Sequence, residues 1–258
     1  MLGEFKRVNI GGVSTSCLGR EKLAKLLGKY AKAEGTKAQR TSVLVFSLNG
    51  HSISEANSDP SYMEVMNNAD LVHADGQSVV FFSKWVKGFD ITERTATTDM
   101  IHDLPVFFEQ DLKHYLLGGK SEVVSKAANI MQDKYQNFKI SGFKDGYFSK
   151  EEEEVICNEI NQSGAEILWV GLGKPKEQEF CIRNKDKLNV PVIITCGGCY
   201  NFITGDYSRA PQWMQNFGME WVHRVLTNPK KLLFRYLTTN PHTIYSVIKH
   251  EILSRKAS

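Results

Sequence analysis

The chain has 258 residues and a net charge of +3, with 41% hydrophobic and 24% charged residues. This composition is typical of a globular protein and excludes disorder, collagen-like repeats and a disulfide-rich miniprotein. The chain lacks a run of about 18 apolar residues, so no membrane-spanning helix is expected. The segment Met1–Arg7 contains an acid and no continuous apolar stretch, so we expect no signal peptide. We therefore expect a cytoplasmic protein whose five cysteines are reduced thiols.

Short apolar segments alternate with segments of helical periodicity along most of the chain. Several of the apolar segments show no polar alternation, as expected for strands covered on both faces, and the alternation predicts an α/β fold with a parallel sheet and helices on both of its faces. Ser149, ahead of the acidic run Glu151–Glu154, predicts a capped helix start. The predicted elements in chain order are helix Arg20–Lys32, strand Ser42–Leu48, helix Pro60–Ala69, strand Leu71–His73, helix Gln77–Val86, strand Lys113–Leu117, helix Val123–Lys134, strand Phe138–Ser141, helix Glu151–Asn161, strand Ile167–Val170, helix Glu177–Lys187 and strand Val190–Thr195.

Strand patterns end near residue 206, which divides the chain into a core (1–205) and a C-terminal appendage (206–258). The appendage has eight lysines and arginines against three acids, a net charge of +5 that leaves −2 for the core. Aromatic residues interleaved with basic ones suit a membrane–water interface and indicate an anionic partner, although a solvated basic surface or a helical cap on the sheet would show the same pattern. Its predicted helices are Pro211–Phe217, Gly218–Thr227, Pro229–Thr238 and Pro241–Ser254, separated at Pro229 and Pro241.

Candidate ligands follow the predicted strands directly, because open parallel sheets bind ligands at the carboxyl ends of their strands. Five strand ends carry glycines or a carboxylate, and together they would line one rim of the sheet. These ends are Ser47-Leu48-Asn49-Gly50, Asp75-Gly76, Gly118-Gly119-Lys120-Ser121, Gly171-Leu172-Gly173-Lys174-Pro175 and Cys196-Gly197-Gly198-Cys199.

Familiar phosphate and metal motifs are incomplete. Gly119-Lys120-Ser121 lacks the earlier glycine of a Walker A loop, and Gly171-x-Gly173 lacks the third glycine of the dinucleotide fingerprint, although both loops can donate backbone N–H groups to a diphosphate. The Cys196-x-x-Cys199 pair lacks a second ligand pair for zinc, and glycines that admit a ligand are favoured over redox chemistry. The chain also lacks an Asp-x-Asp pair, which could hold a divalent cation on a diphosphate, so a bound diphosphate would need helix dipoles and arginines. The candidate arginines are Arg94, Arg209, Arg224 and Arg235, although each could instead form an ordinary surface ion pair.

A further set of short motifs occurs in a fixed order along the chain: Asn67-Asn68-Ala69-Asp70-Leu71-Val72, Asp75-Gly76, Glu93-Arg94, Thr98-Asp99, Gly142, Asp145-Gly146-Tyr147-Phe148, Gly171-Leu172-Gly173-x-Pro175-Lys176, Gly197-Gly198, Arg209-Ala210-Pro211-x-x-Met214, Glu220-Trp221, Arg224, Pro229 and Arg235-Tyr236-Leu237. In this order, from about Val8 to Leu237, the chain resembles the WecG/TagA/CpsF glycosyltransferases (glycosyltransferase family 26).

The resemblance implies an inverting enzyme of the GT-E type with a Rossmann-like core and a helical appendage that contacts the membrane and closes the active site. Such enzymes move N-acetylmannosamine, its uronic acid or a similar hexose from a UDP-sugar to an undecaprenyl-diphosphate-linked acceptor. They are peripheral at the cytoplasmic face of the bacterial plasma membrane. Because the chain has no Asp-x-Asp, we expect no metal; we also expect no other cofactor and no nucleic acid partner, and a homo-oligomer stays open.

The family motifs imply roles for individual residues. Asp75 corresponds to the proposed catalytic base, which an inverting displacement needs in order to take the acceptor proton. Arg224 and Arg235 would neutralise the leaving diphosphate. The other implied substrate-binding residues are Ser47, Asn49, Arg94, Thr98, Asp99, Gly171, Gly173, Lys176, Gln178, Gly197, Gly198 and Arg209.

Three positions depart from the family pattern. Glu177-Gln178 stands where the family has Gln-Glu, so either residue can take the glutamine role. His73-Ala74 replaces Leu-Pro, and the histidine can tune Asp75 or simply pack at the strand end. Cys199 replaces an alanine and carries no implied role.

Two other classes of function remain open from the residues alone. A nicotinamide-dependent oxidoreductase would need the full glycine fingerprint, which is incomplete here. A non-catalytic protein that binds sugar nucleotides at the membrane would share the same rim.

Overall fold

A six-stranded parallel sheet forms the centre of the computed structural model, which describes residues 5–33, 42–86 and 91–257. Most of the segment 1–7, for which no signal peptide is expected, therefore lies outside the described residues. The strands of the sheet are β3 (Val43–Leu48), β4 (Leu71–Ala74), β5 (Leu112–Gly118), β6 (Phe138–Lys144), β7 (Ile167–Gly171) and β8 (Val192–Thr195), preceded by the hairpin strands β1 (Arg7–Ile10) and β2 (Val13–Ser16). The strand order is β4-β3-β8-β7-β5-β6, and each pairing is parallel. This confirms the predicted parallel α/β sheet.

Helices cover both faces of the sheet, as predicted. Successive residues of β3 point to opposite faces: Phe46 belongs to one buried apolar cluster and Val45 to the other. The helices of the core are α1 (Arg20–Lys32), α2 (Gly50–Ser58), α3 (Pro60–Asn67), α4 (Gln77–Ser83), α5 (Thr97–Phe107), α6 (Ser121–Lys134), α7 (Glu153–Ser163), α8 (Lys176–Asn184) and α9 (Cys199–Thr204). The cluster around Phe46 includes side chains of α2, α3, α4, α7 and α8, and the cluster around Val45 includes those of α1, α5, α6 and α9.

Several elements were not predicted from the sequence. The β1–β2 hairpin turns at Gly11 and Gly12, which both have positive φ, and a Gly-Gly pair between short strands is an ordinary hairpin signal. The α5 helix continues past Pro105, a residue that usually marks a helix end. The predicted cap at Ser149 is confirmed, because Ser149 and Glu152 form a capping box ahead of α7.

The appendage contains α10 (Gln212–Asn216), α11 (Glu220–Thr227) and α12 (Pro229–Ala257). The predicted break at Pro229 is confirmed, but the break at Pro241 is wrong, because α12 runs through it. Pro241 lacks an N–H and so costs the helix one hydrogen bond. Contacts with α2 directly after Pro241 offset this loss: Thr243 Oγ1 donates to Gly50 O at 2.6 Å, and His242 Nδ1 lies 2.9 Å from Ser54 Oγ.

Candidate active site

Polar and glycine-rich segments converge at one edge of the sheet, because all six strands have their carboxyl ends there. Asn49 follows β3 and Asp75 follows β4, and the backbone N–H of Asp75 donates to Leu48 O at 2.9 Å. The expectation that these strand ends share one rim is therefore confirmed by the topology.

The carboxylate of Asp75 is held by three hydrogen bonds. Its Oδ1 accepts from Thr97 N at 2.9 Å and from Thr97 Oγ1 at 3.2 Å. Its Oδ2 accepts from Asn49 Nδ2 at 3.1 Å. A carboxylate offers about four acceptor directions, so one direction on Oδ2 stays available for a further donor.

Local structure brings these donors to Asp75. Thr95 N donates to Ala74 O at 2.8 Å, which lays the segment before α5 along the end of β4 and delivers Thr97 to the carboxylate. Asn49 caps α2: its Oδ1 accepts from Ser52 N at 3.1 Å, so its amide NH₂ faces Asp75.

Lys174 adds a partly buried cation to the same edge. It lies in the loop after β7, and its Nζ donates to Ser47 O at 2.9 Å and to Ser52 Oγ at 2.5 Å. Burial raises the pKa of Asp75, but the positive charge of Lys174 and the hydrogen bonds of Thr97 and Asn49 outweigh it and hold this pKa at about 2. Asp75 is therefore ionised at neutral pH.

His73, two residues before Asp75, is a packed neutral side chain. It is fully buried, and its Nδ1 donates to Thr95 O at 2.7 Å. Burial lowers its pKa to about 4 despite the attraction of Asp75. The structure thus favours packing at the strand end over a charged partner for the carboxylate.

Glu177 occupies the backbone N–H groups that the sequence assigned to a diphosphate. Its Oε2 accepts from Gly173 N at 3.0 Å and from Gly197 N at 2.9 Å, and burial raises its pKa to about 7 although Lys174 opposes this rise. Gln178 is also fully buried and donates to Glu177 Oε1 at 3.3 Å. Its position inside the protein does not favour Gln178 as a substrate ligand.

The glycines of the rim have different surroundings. A Cβ on Gly118 would lie 2.2 Å from Gly171 O, and a Cβ on Gly171 would lie 2.8 Å from Gly197 O, so Gly118 and Gly171 allow neighbouring strand ends to touch. Gly173 instead has φ +77° and open space around it, and a Cβ on Gly197 would meet only Glu177 Oε1, at 4.0 Å. A Cβ on Gly198 would lie 3.5 Å from the Tyr207 ring, so Gly173 and Gly197 are the glycines that leave room.

The thiols at this rim are not activated. Cys196 and Cys199 are both free and buried, and burial raises the pKa of each thiol, to about 12 for Cys199. Within the described residues, no group of three or more His, Cys, Asp and Glu side chains is arranged to hold a metal ion.

Three of the predicted substrate ligands form a network between the core and the appendage. Arg94 donates to Glu220 Oε2 at 2.7 Å and to Gln215 Oε1 at 2.9 Å. Arg209 pairs with Asp99 and also donates to Gln215 Oε1 at 2.9 Å. Arg94 and Arg209 thus share Gln215 as a hydrogen-bond acceptor, and Arg209 also pairs with Asp99. Thr98, the residue before Asp99, is half-buried in the first turn of α5.

The two other arginines, Arg224 and Arg235, act electrostatically on Lys174, and Arg224 also pairs with Glu220 at 3.5 Å. Burial lowers the pKa of Lys174, and the charges of Arg224 and Arg235 lower it further. Burial also lowers the pKa of His51, and the charge of Arg235 adds to this effect. The Arg235 Nε–H is buried and has no hydrogen-bond partner in the protein. Lys176 is exposed at the first turn of α8.

Three residues of this site did not stand out from the sequence: Ser52, Thr97 and Lys174. The serine and the threonine lie in the first turns of helices that the sequence analysis did not predict. Lys174 was part of a glycine-rich strand end, and its charge was the available signal.

Comparison with known proteins shows which family the chain matches. The model of the glycosyl transferase WecG/TagA/CpsF family matches residues 8–257. The chain is also similar to an N-acetylglucosaminyldiphosphoundecaprenol N-acetyl-beta-D-mannosaminyltransferase from Bacillus spizizenii, with 29% identity over 203 residues, which cover 78% of this chain and 77% of the relative.

Proposed function

Because this chain belongs to the WecG/TagA/CpsF glycosyltransferase family, we propose that it transfers N-acetylmannosamine, its uronic acid or a similar hexose from a UDP-sugar to an undecaprenyl-diphosphate-linked acceptor. The chain is a glycosyltransferase of lipid-linked polysaccharide synthesis. The similarity to a mannosaminyltransferase named for a lipid diphosphate acceptor supports the finer assignment. The family match disfavours the oxidoreductase and the non-catalytic alternatives.

The observation that carries the proposal is the fixed, ionised carboxylate of Asp75 at the sheet rim. In an inverting transfer, the acceptor hydroxyl oxygen attacks the anomeric carbon while its proton passes to Asp75 Oδ2. The bond between the anomeric carbon and the diphosphate oxygen breaks, and its electron pair leaves with UDP. Thr97 and Asn49 hold the carboxylate so that its remaining acceptor direction is open to the incoming hydroxyl.

The cations around Asp75 suit the leaving diphosphate. Arg224 and Arg235 belong to the appendage and act electrostatically on Lys174 beside Asp75, and the buried Nε–H of Arg235 has no partner in the protein, which an anionic oxygen would satisfy. Positive groups placed in advance at a developing charge stabilise a transition state by several kcal/mol. We infer that residues 206–258 complete the site by supplying these arginines, without a metal ion.

The appendage also has the surface expected of a membrane-contacting element. Most of the exposed large hydrophobic side chains in the described residues lie in it, among them Phe217, Leu226 and Phe234, and its net charge is +5. No helix in the described ranges is long and apolar enough to span a membrane. We propose peripheral binding at the cytoplasmic face of the bacterial plasma membrane, where apolar rings insert and basic side chains meet anionic lipids.

The proposal is tested by incubating the full chain, in EDTA, with a panel of UDP-sugars and an N-acetylglucosaminyl-diphosphate-lipid acceptor. Release of UDP together with a lipid product heavier by one sugar is expected for one member of the panel. Absence of transfer from every UDP-hexosamine and UDP-hexosaminuronate would refute the assignment.

A further inference from the structure

Lys174 connects strands that are not neighbours in the sheet. It follows β7, and its side chain reaches past β8 to the end of β3, where Nζ donates to Ser47 O and to Ser52 Oγ. The carbonyl of Ser47 is two residues from Asn49, the residue that donates to Asp75. Lys174 therefore braces the strand end that holds the proposed base.

The charges around this ammonium explain why it is tolerated in the protein interior. Two carboxylates, Asp75 on the end of β4 and Glu177 on α8, stabilise its positive charge, and Arg224 and Arg235 from the appendage oppose it. The nearby imidazoles of His51 on α2 and His73 on β4 have pKa values lowered to about 4 by burial, so both are neutral. Burial raises the pKa of Glu177 to about 7, whereas the pKa of Asp75 is held at about 2, so Asp75 is the carboxylate that stays ionised beside this cation below neutral pH.

We propose that Lys174 is a positioning residue for the general base: its hydrogen bonds to Ser47 and Ser52 brace the end of β3, which carries Asn49, the donor to Asp75, and its positive charge acts on the Asp75 carboxylate. This inference rests on the proposed function. When Asp75 takes the acceptor proton, its negative charge is transferred to the departing diphosphate.

A ligand role for Lys174 toward the diphosphate is the competing explanation. Two of the three N–H donors of its ammonium are already used by Ser47 O and Ser52 Oγ, at 2.9 and 2.5 Å. These bonds aim the side chain at the protein rather than at the open rim. The observations therefore favour a positioning role, and the affinity for UDP distinguishes the two.

The experiment compares the wild-type chain with Lys174→Met, Lys174→Gln and Lys174→Arg, with Lys22→Met as the control for loss of an exposed lysine. For each variant we measure the pH dependence of kcat/KM and the affinity for UDP by calorimetry. We also follow the titration of Asp75 by carbon-13 NMR, with its signal assigned by difference with Asp75→Asn. Without the cation the pKa of Asp75 rises, so activity is lost as the pH falls through the raised value. We expect kcat/KM of the Met and Gln variants to fall by about threefold or more between about pH 7.5 and pH 5, in addition to any fall seen in the wild type.

The wild type, Lys174→Arg and Lys22→Met should lack this acid loss, and UDP affinity should change less than about threefold in all variants. An unchanged Asp75 titration in both neutral variants would overturn the inference even if no transfer is seen. Weaker UDP binding without a shift in the titration would also overturn it and assign Lys174 to the diphosphate. A wild type that transfers no sugar, while its Asp75 titration depends on Lys174, would contradict only the proposed function. Should the Met variant fail to fold, the Gln variant, which keeps a donor, decides.

Discussion

The side-chain amide of Asn49 caps helix α2 with its oxygen and holds Asp75 with its nitrogen. Oδ1 accepts from Ser52 N at 3.1 Å, and Nδ2 donates to Asp75 Oδ2 at 3.1 Å. Because the cap fixes which end of the amide faces the carboxylate, the orientation of the proposed base depends on the start of a helix. Aspartate or serine can cap a helix, but neither supplies the NH₂ group.

Asn49→Ser and Asn49→Ala separate these two roles. Serine keeps the cap and loses the hydrogen bond to Asp75, whereas alanine loses both. We expect both variants to lose about tenfold in kcat, and alanine alone to lose about 1 kcal/mol of unfolding free energy. Initial rates and chemical denaturation measure the two effects. Wild-type kcat in the serine variant would show that the cap, and not the contact with Asp75, matters.

Glu177→Gln is predicted to change how stability depends on pH. Burial raises the pKa of Glu177 to about 7, above the ordinary value of 4.5, so the folded state favours the protonated form. The stability that this form contributes is present below the ordinary pKa and is lost as the pH rises through about 7. Glutamine keeps an acceptor for Gly173 N and Gly197 N and cannot ionise.

We therefore expect the melting temperatures of wild type and Glu177→Gln to agree near about pH 5 and to differ near about pH 8, with the variant more stable. Calorimetric scans across this range provide the measurement. A difference that stays constant with pH would contradict a raised pKa for this carboxyl.

Glu220→Gln is predicted to loosen the appendage. Glu220 accepts from Arg94 at 2.7 Å, and its loss leaves a half-buried arginine with Gln215 as its hydrogen-bond partner. We expect faster amide hydrogen exchange in α11 and the first half of α12, and a fall in kcat of about tenfold. The comparison variant is Asp103→Asn, which breaks an ion pair with Arg20 inside the core. Equal exchange in the appendage of both variants would contradict a docking role for Glu220.

Phe234→Ser and Leu237→Ser are predicted to weaken membrane binding. These side chains are 77% and 64% exposed on α12, and each would lose apolar burial worth about 1 to 2 kcal/mol at a membrane. Co-sedimentation with anionic liposomes should fall about fivefold or more for each. The control is Val155→Ser, an exposed apolar residue of α7. If all three variants bind alike, the appendage is not the membrane-contacting surface.

Sequence reasoning located Asp75 but not its hydrogen-bond partner Thr97. Polar residues that follow strands can be read directly from the chain, because parallel strands share one binding edge. The contact between Asp75 and Thr97 depends on α5, whose Pro105 obscures the helical pattern. Such contacts are set by packing between elements, which a local pattern does not contain.

The arginines show the same limit. Arg94 and Arg209 were predicted to bind substrate because a diphosphate needs cations. Their actual partners include Glu220, which is 126 residues from Arg94 in the chain, and Asp99, which is 110 residues from Arg209. Charge type is visible in a sequence, but the pairing of charges depends on the folded geometry.

The choice between Glu177 and Gln178 also required the structure. Neighbouring helical residues point about 100° apart, so a shift of one residue changes which side chain meets the glycine loops. The structure places Glu177 Oε2 on Gly173 N and Gly197 N, and Gln178 beside it in the interior.

The most direct test of the account is the turnover of Asp75→Asn in the same transfer assay, with UDP affinity measured on the same preparation. The account predicts a fall in kcat of about a thousandfold with UDP affinity within about threefold of wild type, because only the base is removed. The control is Asp111→Asn, which should keep full activity, because this carboxyl directly before β5 is 64% exposed and far from the proposed site in the strand direction. Turnover of Asp75→Asn within about tenfold of wild type would contradict the assignment of Asp75 as the general base.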